Sequence, residues 1–154
     1  MEFDALIAEY AAGPDRLRQA VQDMTTDQLD ARPIPGKWST RQVVCHIADF
    51  EPVYVDRMKR VIAQESPQFF GGDPDLFAAK LAYPMRDVDE ELMLIDACRR
   101  HMVRILRTLS AADFQRTGVH SEAGPLTLER LLRNVTGHIP HHLRFIDEKR
   151  QALQ

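Results

Sequence analysis

Apolar residues recur along this chain at intervals of three and four, the spacing that lines one face of an α-helix. Four such stripes are legible. The first runs through Phe3, Leu6, Ile7, Tyr10, Leu17, Val21 and Met24. Gly13-Pro14 interrupts it. Proline removes a helical hydrogen bond and disfavours helix in the residue before it, so a kink or short break is expected there. Thr25-Thr26-Asp27-Gln28 predicts a short turn ahead of the connector Pro33-Ile34-Pro35-Gly36.

The second stripe is Val43, Ile47, Phe50, Tyr54, Met58 and Val61. Ser39 and Gln42 have capping-box spacing, and Trp38 and Val43 occupy the two positions of a hydrophobic staple. Pro52 should bend this helix. The third stripe, Leu92, Ile95, Met102, Leu106 and Leu109, follows another capping pair, Asp87 and Glu90. The fourth is Leu128, Leu131, Val135, His138, Ile139, His142 and Ile146, opened by Thr127 with Leu126 and Leu131 as its staple.

Between the second and third stripes, about Ser66 to Pro84, the chain carries Pro67, Gly71-Gly72, Pro74 and Pro84. This reads as a long loop with a short helix around Leu76 to Leu81, and loops of such length are often functional or cover something. No run shows sustained period-two alternation, and no Asn-Gly or Asp-Gly hairpin signal occurs. The expectation is an all-α protein, a four-helix bundle forming a single domain over residues 1–154.

Composition narrows the function classes. The net charge of −3 is spread along the chain, which argues against a nucleic-acid partner. Arg100, Arg104 and Arg107 recur at helical spacing among polar neighbours and read as a solvated face. No apolar run approaches the roughly 20 residues that span a bilayer. The acidic start, Met-Glu-Phe-Asp, lacks a signal-peptide layout, so a cytoplasmic location without membrane association is expected. Cys45 and Cys98 show no CxxC spacing and read as small core hydrophobes.

The chemistry concentrates in histidine. His138 and His142 stand four residues apart, one above the other on the buried side of the fourth helix. Two imidazoles held so can chelate one metal ion if a third ligand arrives from elsewhere. His46, at the edge of the second stripe, is the best third ligand. Read from the residues alone, a metal site and three hydrogen-bonded core histidines are equally good accounts. Pro140 sits between the two partners and cannot donate to the Thr136 carbonyl; a mild kink would keep the i, i+4 geometry. His141, His101 and His120 are expected at the surface or in a loop. Arg99 falls inside the third stripe, where it either snorkels, pairs with an aspartate, or binds an anion in a cavity.

Several of these segments together resemble the DinB/YfiT-like family of metal-dependent four-helix-bundle proteins. They are Pro35-Gly36-Lys37-Trp38-Ser39, then His46-Ile47-Ala48-Asp49-Phe50-Glu51, Gly124-Pro125-Leu126-Thr127-Leu128, and His138 followed by His142. The resemblance implies an up-down-down-up bundle, commonly a homodimer, with zinc or nickel held by His46, His138 and His142. Some members transfer or use thiol cofactors such as bacillithiol or mycothiol.

The resulting functional expectation is a divalent-metal-dependent transferase or hydrolase acting on a small-molecule substrate, with or without a thiol cofactor. Asp49, one turn beyond His46, would orient its imidazole. Glu51 is a less well-placed acid-base candidate, and Arg99 would steer an anionic cofactor. The alternative is a stress-related bundle that binds metal or small ligands without turnover.

Overall fold

Local start signals set the helix boundaries. A computed structural model describes residues 2–154, so Met1 of the expected domain lies outside it. It places α1 at Asp4–Val21, α2 at Thr26–Asp30, α3 at Thr40–Ala63, α4 at Pro74–Lys80, α5 at Val88–Leu106 and α6 at Leu128–Ala152. At the start of α3, the Ser39 hydroxyl accepts from the Gln42 N–H and the Gln42 side chain accepts from the Ser39 N–H. Thr25 and Gln28 make the same reciprocal pair at α2. The Thr127 hydroxyl caps α6 by accepting from Arg130 N–H. At α5, the Asp87 carboxylate accepts from Glu90 N–H.

Pro14, Pro52 and Pro140 all lie within continuous helices. The break expected at Gly13-Pro14 does not occur. A proline inside a helix costs about 3 kcal/mol. In α1 that cost is offset by a buried stripe of Ile7, Tyr10, Pro14, Leu17 and Val21, since tertiary packing supplies most helical stability.

Two hydrophobic clusters stack along the bundle and reveal its directions. One holds Phe3, Ile7 and Tyr10 of α1, Val55, Met58 and Val61 of α3, Met102 and Leu106 of α5, and Leu128 and Leu131 of α6. The other holds Leu17 and Val21 of α1, Val43 and Ile47 of α3, Val88 and Leu92 of α5, and Ile139 and Ile146 of α6. The N-terminal halves of α1 and α6 therefore share an end with the C-terminal halves of α3 and α5. The order is up-down-down-up, with α3 packed against both α5 and α6.

That order explains the long connector. Because α3 and α5 are parallel, the chain must return along the bundle before α5 can begin. It descends the outside of α3. Arg57 donates to the Phe70 carbonyl, Phe77 stacks on Phe50 at 5.3 Å, and Cys45 Sγ faces the Tyr83 carbonyl. Lower still, Arg41 donates to the Arg86 carbonyl. The expected short helix is α4.

A small sheet accompanies the expected bundle, built from segments too short to show alternation in the sequence. Strand β1 (Gln68–Phe69) pairs in parallel with β2 (Thr117–His120), which pairs with β3 (Gly124–Thr127) in an antiparallel hairpin. Gly118 is required here, because a Cβ would run into the Phe69 ring.

At the waist of the bundle lies Arg99, 1% exposed. Its Nε and Nη2 donate to Glu51 Oε1 at 2.9 and 2.5 Å. Nη1 donates to the Tyr10 carbonyl and Nη2 to the Val135 carbonyl, each at 2.8 Å. One guanidinium thus joins α1, α3, α5 and α6. Gly13 makes room for it, since a Cβ there would collide with Nη1.

Candidate metal centre

The antiparallel packing of α3 and α6 brings the first half of one against the second half of the other. His46 therefore faces His138 and His142. The Nε2 atoms of His46 and His138 are 2.9 Å apart, and those of His138 and His142 are 3.2 Å apart. The ring centroids form a nearly equilateral triangle with sides of 4.9, 4.8 and 4.8 Å. The rings are steeply inclined to one another, at 71° to 80°. This is a three-bladed arrangement with nitrogens at its focus. Pro140 leaves α6 helical, and the i, i+4 pair keeps its register.

Aromatic rings wall this focus. Trp38 lies 5.3 Å from His46 and Phe50 lies 5.0 Å from it, while Phe145 approaches His142. Phe77 backs Phe50, so the descending connector covers one side of the centre, as its length led us to expect. Burial pushes all three imidazoles down from their ordinary value, His46 to about 4, His142 to about 3 and His138 to about 2. For His138 and His142 the neighbouring imidazoles add to that depression, while the Asp49 carboxylate opposes it at His46. The three are thus neutral at ordinary pH, the form that ligates metals.

The donor set fits a divalent ion. In a tetrahedral site with bonds of about 2.0–2.1 Å, ligand nitrogens stand about 3.3 Å apart, close to the separations found here. Three protein ligands also leave coordination positions for water or substrate.

The other sequence candidates have different roles. Asp49 does not orient His46, whose Nδ1 is buried without a hydrogen-bond partner among the described residues. Its Oδ1 is instead 2.8 Å from Arg86 Nη2, which also holds Glu91. Glu51 and Arg99 are taken up by each other in the core. Burial raises the Glu51 carboxyl's pKa against the pull of Arg99. Neither is free for acid-base work or for steering an anion. His141 and His101 are exposed, as expected. His120 serves its own hairpin, where Nδ1 accepts from the Glu122 and Ala123 N–H groups. Cys45 is a buried thiol pushed up to about 12 by burial, consistent with a core residue.

Sequence reasoning missed Lys149. It lies three residues after Ile146 and seven after His142, on the same buried stripe. It is 2% exposed and lines a cavity of about 220 Å³ beside His142. Its helical register was the signal that could have found it.

Comparisons with known proteins agree with this architecture. The profile of the DinB superfamily matches residues 9–146. A protein of Oceanobacillus iheyensis named "Putative metal-dependent hydrolase" is 32% identical over 133 residues, covering 86% of this chain and 77% of its own. "Putative metal-dependent hydrolase YfiT" of Bacillus subtilis is 32% identical over 136 residues, covering 88% and 76%. The solved structure of Bacillus subtilis YfiT, described as "a probable metal-dependent hydrolase with an unusual four-helix bundle topology", superposes with a TM-score of 0.91. That match has 30% identity and covers 97% of this chain and 86% of the other. The chain belongs to the DinB superfamily.

Proposed function

We propose that the chain is a metal-dependent hydrolase whose His46, His138 and His142 ligate one divalent ion, zinc or nickel. The convergence of three neutral Nε2 atoms from two helices carries this reading. The names of the Oceanobacillus iheyensis and Bacillus subtilis relatives support it. When bound, such an ion lowers the pKa of a coordinated water toward neutrality and polarises a carbonyl.

The chain's own residues supply the setting. Trp38 and Phe50 exclude bulk water from one side of the imidazoles. The cavity beside His142 receives a small molecule. Asp49 is salt-bridged to Arg86, which also holds Glu91, so it ties α3 to the end of the connector and the start of α5. Within this reading Asp49, Glu51 and Arg99 maintain the scaffold.

A thiol-cofactor-dependent transferase is the second reading. A site with three protein ligands offers positions to a thiolate as readily as to water. A homodimer is the assembly we propose, supported by exposed Phe70, Leu76 and Met85 along the connector. Two free cysteines support a cytoplasmic setting.

The test uses chelator-stripped protein, assayed against esters and amides and, separately, thiol cofactors with electrophiles. Activity restored by zinc or nickel in wild type and absent in His142→Ala supports metal-dependent catalysis, and the substrate panel chooses between the two reactions. Metal uptake without turnover on either panel would favour the non-catalytic binding bundle.

A further inference from the structure

Lys149 is a buried cation with no carboxylate partner among the described residues. Burying an ammonium is costly unless the charge is matched. The contrast with Arg99 is direct, because Arg99 has Glu51. Of the three donors on Lys149, one goes to the carbonyl of Phe145 in its own helix, at 3.1 Å. The Phe145 ring lies 6.0 Å from Nζ and gives a weak cation-π contact. Glu148 is exposed, and its charge helps keep Lys149 protonated against the pull of burial and of Lys37.

The cavity that Lys149 lines is otherwise walled by Trp38, Val43 and Phe145, and His142 forms another part of its wall. Its volume, about 220 Å³, falls below the roughly 300–1,000 Å³ of pockets for drug-sized ligands. It therefore suits a compact group. Lys37 and Glu148 also line it and are exposed, so their charges offset each other at its mouth.

We propose that this cavity is an anion subsite, in which Lys149 binds the carboxylate of a small organic acid whose apolar body lies against Trp38 and Phe145. The inference rests on the metal-centre reading only for where the reacting bond points, which is toward His142. A carboxylate matches the single charge of Lys149. A phosphate monoester carries nearly two charges and would need a second buried cation.

Chelator-treated protein is titrated with benzoate, benzamide and phenyl phosphate, and binding is followed by ligand-observed NMR. Removing metal ensures that any carboxylate bound is not bound to an ion. Benzoate should bind about tenfold or more tightly than benzamide, its neutral counterpart. Lys149→Met should lose about that factor for benzoate and leave benzamide unchanged, while Lys149→Arg retains benzoate binding. Equal binding of benzoate and benzamide, or an unchanged benzoate affinity in Lys149→Met, would overturn the proposal. Preference for phenyl phosphate over benzoate would overturn the carboxylate assignment. The benzoate–benzamide comparison needs only wild-type protein, so a variant that fails to fold does not block the test. Metal content, measured on the same preparation before chelation, can fail independently of these results.

Discussion

The Nε2 atoms of His46 and His138 stand 2.9 Å apart across the antiparallel contact of α3 and α6, although 92 positions separate them in the chain. A shared hydrogen bond or a shared metal ion would each account for the approach of one pair. A third imidazole, His142, at 3.2 Å from the same atom makes the ion the better account.

Acid should weaken the metal-free fold through these groups. Each has a folded pKa below its ordinary value, so the unfolded chain takes up more protons as pH falls below about 6.5. Their contribution to stability is therefore full above that value. It declines as pH falls toward the folded values of about 4, 3 and 2 for His46, His142 and His138. Thermal melts of chelator-treated protein between pH 7 and 4 should show a falling Tm. His138→Asn should flatten the slope; an identical slope in that variant would contradict the assignment.

The Arg99–Glu51 pair should behave as a scaffold element. Removing one partner leaves an uncompensated buried charge or an unmatched set of donors. Arg99→Met or Glu51→Leu alone should each cost about 3–5 kcal/mol in denaturant unfolding. The double variant should recover part of that loss. Additive losses in the double variant would show that the two residues act independently.

Gly13→Ala tests the same junction from α1. Alanine favours helix over glycine by about 1 kcal/mol in an exposed setting. Here its Cβ meets the Arg99 guanidinium. The net result should be destabilising, by about 1–3 kcal/mol. A stabilised variant would mean that Arg99 can move away without loss.

Lys149→Met should keep or raise the melting temperature, because methionine fills similar space without burying an unpaired charge. A lowered Tm in the absence of ligand would assign Lys149 a structural role that its single hydrogen bond does not suggest.

What the sequence revealed was mostly local or periodic. The Ser39–Gln42 and Thr127 caps involve residues three apart, so spacing alone located the starts of α3 and α6. The stripe carrying His138 and His142 placed both on one buried face, and the edge of another stripe pointed His46 inward. The fate of the prolines was not legible, because continuity at Pro14 depends on packing contributed by other helices. The strands were also hidden: β2 and β3 have four residues each, too few to show alternation, and β1 pairs with a segment far along the chain. Arg99 stayed open between snorkelling, pairing with an aspartate and binding an anion, because Glu51 lies 48 positions away and only the fold brings them together. Lys149 was legible in register but was not recognised, since a lysine near a helix C-terminus is ordinarily a solvated charge.

The central claim is that three imidazoles share one metal ion. The direct test is metal analysis of protein purified without a histidine tag or chelator, paired with X-ray absorption at the edge of the metal found. The account predicts one zinc or nickel per chain, with nitrogen ligands at about 2.0–2.2 Å. It also predicts loss of the metal, with helical content retained, in His138→Ala. A folded wild-type chain that takes up no stoichiometric divalent metal, or one that holds it equally well after His138→Ala, would contradict the claim.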